Sequence, residues 1–420
     1  MRRLPLLLAV VLVASIGMSG TPFNSAAPAL AADLPVHELW RADSRTGFDG
    51  WTLSGVRSEG GRMMLDPGGA SGGTQVSQQI EGLALPDGTS GGLAGLAVAP
   101  IQPTSAQFHE LIPSWNAVTP PGTWIEVRLR ANIGEAGHWT RWYELGSWST
   151  DAGQEHRRSV KGQQDADGRV STDTLILKPP ANAYQLGLIL RADDRATANG
   201  TLPTVSLTTV VASTPSETAR AVPSNRAVWG TTLPVPERSQ MVYPNGGPVW
   251  CSPTSTSMVM AYWSERLGEP ALNQPVPAVA AAVYDDVYRG NGNWPFNTAY
   301  AAQHGLVGYV SRMSSLAQVE RWIEAGIPVI ASVAWEPGQL PNAAVPSTDG
   351  HLLAIVGFTS SGDVVVNDPA ADPRLGLSVR RIYPRDALER IWLTASGGAV
   401  YLIYPETTSP PPNEVAFGAW

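Results

Sequence analysis

The sequence predicts an all-β sandwich domain followed by an α+β domain. Between residues 34 and 213, short segments alternate apolar and polar residues, with turn-forming residues between them; this pattern is typical of half-buried antiparallel strands. Beyond residue 233, candidate helices come first and candidate strands follow, which is the order expected of an α+β domain. A chain of 420 residues with 43% hydrophobic and 15% charged residues can form two such cores.

The N-terminus has the pattern of a secretory signal peptide. Arg2 and Arg3 precede an apolar stretch at residues 4–13, and Ala29-Leu30-Ala31 has the small residues of a cleavage site. We therefore expect residues 1–31 to be a signal peptide and the mature protein to be secreted, either released or held at the cell surface. The alternative is an uncleaved anchor, but the apolar stretch is short and no later segment approaches the roughly 20 apolar residues of a stable membrane span.

The first domain is clearest in residues 122–131. Ile125, Val127 and Leu129 fall on one face of a period-two pattern, and the intervening side chains are charged. We expect a β-sandwich of the jelly-roll type over residues 34–213, without an amphipathic helix. Further strands are predicted at residues 172–177, 183–190 and 204–211.

Aromatic residues are crowded into a short part of this domain: Trp115, Trp139, Trp142, Tyr143 and Trp148. They could fill the core, as most tryptophans do, or form an exposed platform that stacks on sugar rings. The histidines of the domain show no metal-ligand spacing, so neither a metal nor another cofactor is expected. The net charge of −8 argues against nucleic acid as a partner.

The second domain is predicted over residues 233–406, after a Pro-, Ser- and Thr-containing linker at residues 214–232 and before a proline-containing tail at residues 407–420. Helices are expected at residues 253–267, 275–288 and 297–304, and from a capping box at Ser315 to Gly326. Strands are expected at residues 327–333, 351–359, 363–367 and 399–404, with a hairpin turn at residues 360–362.

Cys251 is the single cysteine of the chain. A lone thiol in an exported protein cannot form an internal disulfide, so it is a candidate for chemistry. It precedes Pro253 at the start of the first predicted helix, where unpaired backbone N–H groups and the helix dipole favour the nucleophilic thiolate. The same N–H groups could stabilise an oxyanion. The alternative is a structural cysteine on an apolar face.

A nucleophilic cysteine needs a base, and His351 is the better of the two histidines in this domain. His304 suits the C-terminal end of a helix, whereas His351 opens a predicted apolar strand. The hairpin brings Asp368, at the end of the partner strand, to the same sheet edge, where its carboxylate could accept the His351 Nδ1–H. Asp368-Pro369 could instead be an ordinary turn, and Asn367 is the second choice for the orienting residue.

These residues carry a resemblance to a known family. Ser239-Gln240, the run from Trp250 to Ser255, Gly350-His351 and Asn367-Asp368-Pro369 resemble the papain-like cysteine peptidases of the bacteriocin-leader-processing type, and more closely their secreted actinobacterial relatives. The similarity covers residues 233–404. It implies that Cys251 is the nucleophile, His351 the general base and acid, Asp368 the orienting carboxylate and Gln240 the oxyanion donor.

The chain departs from this family pattern at two places. Ser252 stands where many relatives have glycine, and Gln240 lies farther from the cysteine than the usual glutamine does, so Asn245 is an alternative donor. The resemblance implies a secreted thiol hydrolase, a peptidase acting on a peptide or protein substrate. Two alternatives stay open: a cell-wall amidase or acyltransferase built on the same triad, and an inactive surface binding protein whose first domain contacts carbohydrate.

Overall fold

The computed structural model describes residues 37–68, 79–85, 92–134, 137–151, 156–215, 222–244 and 246–412. The expected signal peptide, Asn245, and parts of the predicted linker and tail lie outside these residues. Within the described residues, no helix is long and apolar enough to cross a membrane. The same residues contain no group of three or more His, Cys, Asp or Glu side chains placed to hold a metal ion.

The N-terminal region is built almost entirely from antiparallel strands. The central strand β13 pairs with β7, β8, β9 and β12, and β8 in turn pairs with β14. These pairings establish a branched sheet, whereas the predicted packing of two layers face to face stays a prediction. The strands β1 to β14 are, in chain order, His37–Asp43, Thr52–Ser54, Val56–Glu59, Arg62–Leu65, Gln79–Ile80, Leu83–Ala84, Leu93–Val98, Gln102–Val118, Thr123–Ile133, His138–Trp139, Tyr143–Trp148, Gly168–Ser171, Thr174–Ala192 and Thr204–Ser213.

One long strand replaces two that the sequence predicts. Residues 172–177 and 183–190 were expected to form separate strands, but residues 174–177 and 183–190 all belong to β13. Pro179 and Pro180 interrupt the pairing with β8, and the register shifts between Ile176 and Ala183. The prolines thus produce an irregularity within the strand, as prolines at bulges do, and the strand continues beyond them. A short helix α1, Asp194–Ala198, follows β13 and is capped by Asp193.

The C-terminal region contains both helices and a second sheet. Helices α2 to α6 are Cys251–Leu267, Val276–Val283, Trp294–Gln303, Leu316–Glu324 and Arg385–Ser396. Strands β15 to β20 are Leu306–Arg312, Val329–Trp335, Thr348–Phe358, Val364–Asn367, Arg380–Tyr383 and Ala399–Pro405. The strands pair antiparallel in the order β15-β20-β16-β17-β18-β19. The chain therefore has mixed α and β content.

Several elements of this region differ from the predicted ones. β15, β19 and α6 were not predicted, and α3 ends at Val283 instead of residue 288. The early end of α3 has a local cause: the Asp285 carboxylate accepts hydrogen bonds from the backbone N–H groups of Val287 and Tyr288. A side chain that satisfies nearby backbone donors in this way stabilises a turn at the expense of a helix.

The two regions pack closely against each other through α4. Phe296 on α4 lies between Trp115 and Trp148 of the N-terminal region, with ring centroids 6.1 and 5.2 Å away. The Asn116 side-chain amide donates to the Gly308 carbonyl oxygen (2.6 Å), and Asp173 accepts from the Trp294 N–H (2.7 Å). The N-terminal region therefore fixes the position of α4.

The crowded aromatic residues divide into two groups. Trp115, Tyr143 and Trp148 are buried, as expected for core residues. Trp139 and Trp142 are half-buried, and the Arg130 guanidinium lies 4.8 and 4.7 Å from their ring centroids. Arg130 therefore covers one face of each ring.

Candidate active site

Cys251 is the first residue of α2 and lies in a cleft of about 1050 Å³. The helix begins two residues earlier than predicted, with Trp250 before it as the N-terminal cap residue. The thiol is half-buried and accepts hydrogen bonds from the backbone N–H groups of Ser252 and Leu352. The first N–H groups of a helix have no partner within it, so they are free to point at the sulfur.

His351 reaches the thiol from β17. Its strand begins at Thr348, and His351 pairs in register with Val333 of β16. One residue further on, the Leu352 carbonyl oxygen accepts a hydrogen bond from the Ser255 hydroxyl of α2 (3.0 Å). This bond ties the strand to the helix beside both reactive groups. The His351 side chain forms a hydrogen bond with Cys251, and the Trp335 ring packs at 86° to the imidazole with centroids 5.5 Å apart.

Asp368 follows the last residue of β18 and is completely buried. Its Oδ1 accepts from His351 Nε2 (2.8 Å) and from the Ala370 backbone N–H (2.9 Å), while Oδ2 accepts from the Tyr383 hydroxyl (2.6 Å). The expectation that Asp368 would bind Nδ1 is wrong, because the imidazole presents Nε2 to it. Nδ1 is thereby left to face the sulfur.

The three side chains favour a thiolate–imidazolium pair. Burial raises the pKa of the Cys251 thiol, but the hydrogen bond and charge of His351 outweigh it and bring the pKa below the ordinary value. Burial also opposes protonation of His351, yet the Asp368 carboxylate and Cys251 raise the pKa of His351 to about 10. Burial likewise raises the pKa of Asp368, and the His351 charge and the Tyr383 hydroxyl bring it below its usual range. Such a pair is the nucleophilic form of a cysteine site.

Gln240 lies in the same cleft as Cys251 and His351. Its segment is anchored to the loop after Asp368, since the Gln240 N–H donates to the Pro369 carbonyl oxygen (2.9 Å). The chain then folds back closely: a Cβ at Gly247 would lie 2.7 Å from the Gln240 carbonyl oxygen, which makes glycine necessary there. The long spacing between Gln240 and Cys251 is therefore taken up by a tight loop. Asn245, the alternative donor, lies outside the described residues.

Ser252 is buried beneath the cleft. Its hydroxyl forms a 2.9 Å hydrogen bond with the Tyr401 hydroxyl of β20. The side chain points into the protein, so the departure from glycine at this position does not obstruct the thiol.

Family models match both regions of the chain. A family model described as the Peptidase C39 N-terminal domain matches residues 38–213, and one described as the Peptidase_C39 like family matches residues 232–400. The chain belongs to the papain-like C39 peptidase family. The resemblance inferred from the sequence is thereby confirmed at the level of the family, which indicates a cysteine peptidase.

A crystal structure from Bacillus anthracis, described as a candidate C39-like peptidase, matches with 16% identity and a TM-score of 0.26, covering 40% of this chain and 94% of that one. No curated protein matches the chain.

Sequence reasoning missed two side chains that contact His351 and Asp368. Tyr383 lies on β19, an edge strand that was not predicted, and Trp335 ends β16 beyond its predicted boundary. Both reach the site through sheet pairing, β19 with β18 and β16 with β17. The segment that holds Tyr383, Arg380-Arg381-Ile382-Tyr383, has no alternation of apolar and polar residues that would identify it as a strand.

Tyr383→Phe should lower kcat/KM by roughly tenfold, because a hydrogen bond to a charged group contributes about 1.5–3 kcal/mol. The substitution leaves Asp368 Oδ2 buried without its hydroxyl donor, which weakens the carboxylate that holds His351. Initial rates on one peptide substrate would measure the change. Tyr300→Phe, whose hydroxyl contacts Gln274 instead, is the matched control and should stay within about twofold. Equal activity of both variants would show that Tyr383 does not support the site.

Proposed function

We propose that the protein is a secreted cysteine peptidase that hydrolyses peptide or related amide bonds through Cys251, His351 and Asp368. The observation that supports it most is the hydrogen-bonded line from the thiol through the imidazole to a buried carboxylate, at the floor of an open cleft. Such a line combines a nucleophile, a base and an orienting group. We also propose that the N-terminal region is a jelly-roll-like β-sandwich attached to the catalytic domain.

The reaction follows from the protonation state of the pair. The Cys251 thiolate attacks the substrate carbonyl carbon, and the imidazolium of His351 then gives its proton to the leaving amine as the C–N bond breaks. A thioester acyl-enzyme remains. His351, now neutral, takes a proton from a water molecule that attacks the thioester, and the acid product leaves as Cys251 becomes a thiolate again. Asp368 holds the imidazole in place and stays ionised throughout.

The negative oxygen formed in both steps needs donors. The backbone at the start of α2 supplies N–H groups beside the sulfur, and we assign the second donor to the Gln240 side-chain amide. This assignment is supported by position: Gln240 is 2% exposed, lines the same cleft as Cys251, and is held beside Asp368 by its backbone bond to Pro369. An amide N–H group fixed in this way is a suitable donor to an oxyanion.

Iodoacetamide tests the proposal before any substrate is known. At pH 6, Cys251 should react at least about tenfold faster than a model thiol, because a model thiol with a pKa near 8.5 is almost fully protonated there. Mass spectrometry would follow the modified peptide. A rate no higher than that of the model thiol would favour an inactive binding protein instead.

The product identifies the reaction class. An unstructured protein, purified peptidoglycan and an amine acceptor can each be offered to the enzyme and the products identified by mass spectrometry. Cleavage of the protein supports the proposed peptidase. Release of cell-wall fragments, or transfer of an acyl group to the amine, would replace it by an amidase or an acyltransferase.

A further inference from the structure

The cleft does not end at the catalytic residues. A second cavity of about 520 Å³ adjoins the cleft, and four residues line both: Tyr288, Gly292, Trp294 and Ala395. The far wall of the second cavity belongs to the N-terminal region, at Glu110, Ser171 to Thr174 and Ile176. The shared residues therefore place this wall of the N-terminal region next to the cleft that holds Cys251.

Asp173 is the central polar group of that far wall. It stands at the tip of the hairpin between β12 and β13, where Ser171 pairs with Thr174. Its neighbour Thr172 has φ of 56°, a left-handed conformation that a β-branched residue adopts only under constraint. Asp173 itself is 6% exposed and accepts hydrogen bonds from the Trp294 N–H (2.7 Å) and the Thr174 hydroxyl (3.1 Å).

Among the described residues, no ion pair within 4 Å joins Asp173 to an arginine, lysine or histidine. Arg312 lines the same cavity, and the Glu110 and Asp173 charges both oppose the lowering of its pKa by burial, but the salt bridge of its guanidinium is with Glu110. The Glu110–Arg312 pair is neutral in sum, so Asp173 leaves one net negative charge in the cavity. Burial raises the pKa of Asp173 to about 6 against the effect of its hydrogen bonds, and Asp285 acts in the same direction. At neutral pH the carboxylate is thus ionised but incompletely compensated.

Asp173 and the nucleophile both act on Tyr288, which lines the cleft and the second cavity. Burial raises the pKa of Tyr288, and the charges of the Asp173 carboxylate and the Cys251 thiolate add to this increase, so the Tyr288 hydroxyl lies within the field of each. Tyr288 and Trp294 further supply aromatic surface on the path between them, against which an aliphatic chain can pack.

We propose that this cavity is a specificity subsite in which Asp173, contributed by the N-terminal region, binds the cationic end of a lysine or arginine side chain of the substrate. A buried carboxylate that lacks a counter-charge is stabilised by such a group and rejects an uncharged one of the same shape. The proposal rests on the peptidase function above. It gives the N-terminal region a role in substrate selection.

Covalent probes of Cys251 test the subsite without a known substrate. Peptidyl vinyl sulfones carry residues before the scissile bond, and chloroacetyl peptides carry residues after it; both alkylate the thiol. Each probe is made in a matched pair with lysine or norleucine at one position. At one position of the peptide, the lysine probe should label Cys251 at least about tenfold faster than the norleucine probe. In Asp173→Asn, which keeps an oxygen acceptor for the Trp294 N–H, the ratio should fall below about twofold with the norleucine rate unchanged.

These experiments distinguish failure of the subsite from failure of the peptidase function. Equal lysine and norleucine rates at every position of the wild-type enzyme would overturn the subsite, whether or not the Asp173 variant folds. If every probe labels Cys251 no faster than free cysteine, the peptidase function itself fails. Asp349→Asn removes a carboxylate from the rim of the main cleft and should leave the lysine preference in place. Loss of the preference in that variant as well would assign it to the overall charge of the cleft and overturn the role of Asp173.

Discussion

Cys251→Ala should lower kcat/KM for the best peptide substrate by at least about a thousandfold, since removal of a covalent nucleophile leaves only the rate that binding and the oxyanion donors provide. The thiol is the single sulfhydryl group of the chain and the group toward which His351 and the Ser252 and Leu352 N–H groups are directed. The measurement is the initial rate of cleavage, with the cut sites identified by mass spectrometry.

Cys251→Ser separates chemistry from packing. The serine hydroxyl nearly fills the space of the thiol, so α2 and the cleft should be preserved. The pKa of a hydroxyl, however, is too high for His351 to keep it deprotonated. We expect the serine variant to be impaired about as strongly as the alanine variant while melting within a few degrees of the wild type. Activity within tenfold of the wild type in either variant would mean that another residue attacks the substrate.

The part of the site that depends on residues close together in the chain could be predicted from the sequence alone. Cys251 follows Trp250 at a helix start marked by Pro253, and the turn at residues 360–362 forms with Gly362 at φ of 88°. A tight hairpin brings strand ends together whatever the rest of the fold does, so the position of Asp368 near His351 could be predicted from residues a short distance apart. The structure places these three side chains in contact.

The rest of the site depends on contacts between residues that are distant in the chain. Tyr383 supports Asp368 only because β19 pairs with β18, and Asp173 lies beside the cleft because the N-terminal region packs against α4, where Phe296 contacts Trp115 and Trp148. Such packing leaves no periodic pattern in the sequence, since any large apolar residue at these positions would look the same. The orientation of the His351 ring was also out of reach, because it depends on which nitrogen the β17–β18 geometry presents to Asp368.

His351→Ala should reduce kcat/KM by at least about a thousandfold and also change the pH at which Cys251 becomes reactive. In the wild type, His351 stays protonated up to about pH 10 and lowers the thiol pKa. Alkylation should therefore already be fast well below the pKa of about 8.5 of a free thiol. Without the imidazolium, burial is the largest remaining influence, and it raises the pKa of Cys251. The inflection of the alkylation rate should move upward past the value of a free thiol.

His304→Ala is the matched control for this change. His304 is the other histidine of the C-terminal region; it lies at the end of α4 and packs against Tyr300, with ring centroids 4.8 Å apart. Its removal should leave both the cleavage rate and the alkylation profile near those of the wild type. The pH profile is the decisive readout, because a variant that merely loosened the fold would lose activity without a directed upward shift of the thiol pKa. If the inflection stays in place in His351→Ala, the activated thiolate owes its charge to the helix N-terminus alone, and His351 is not its partner.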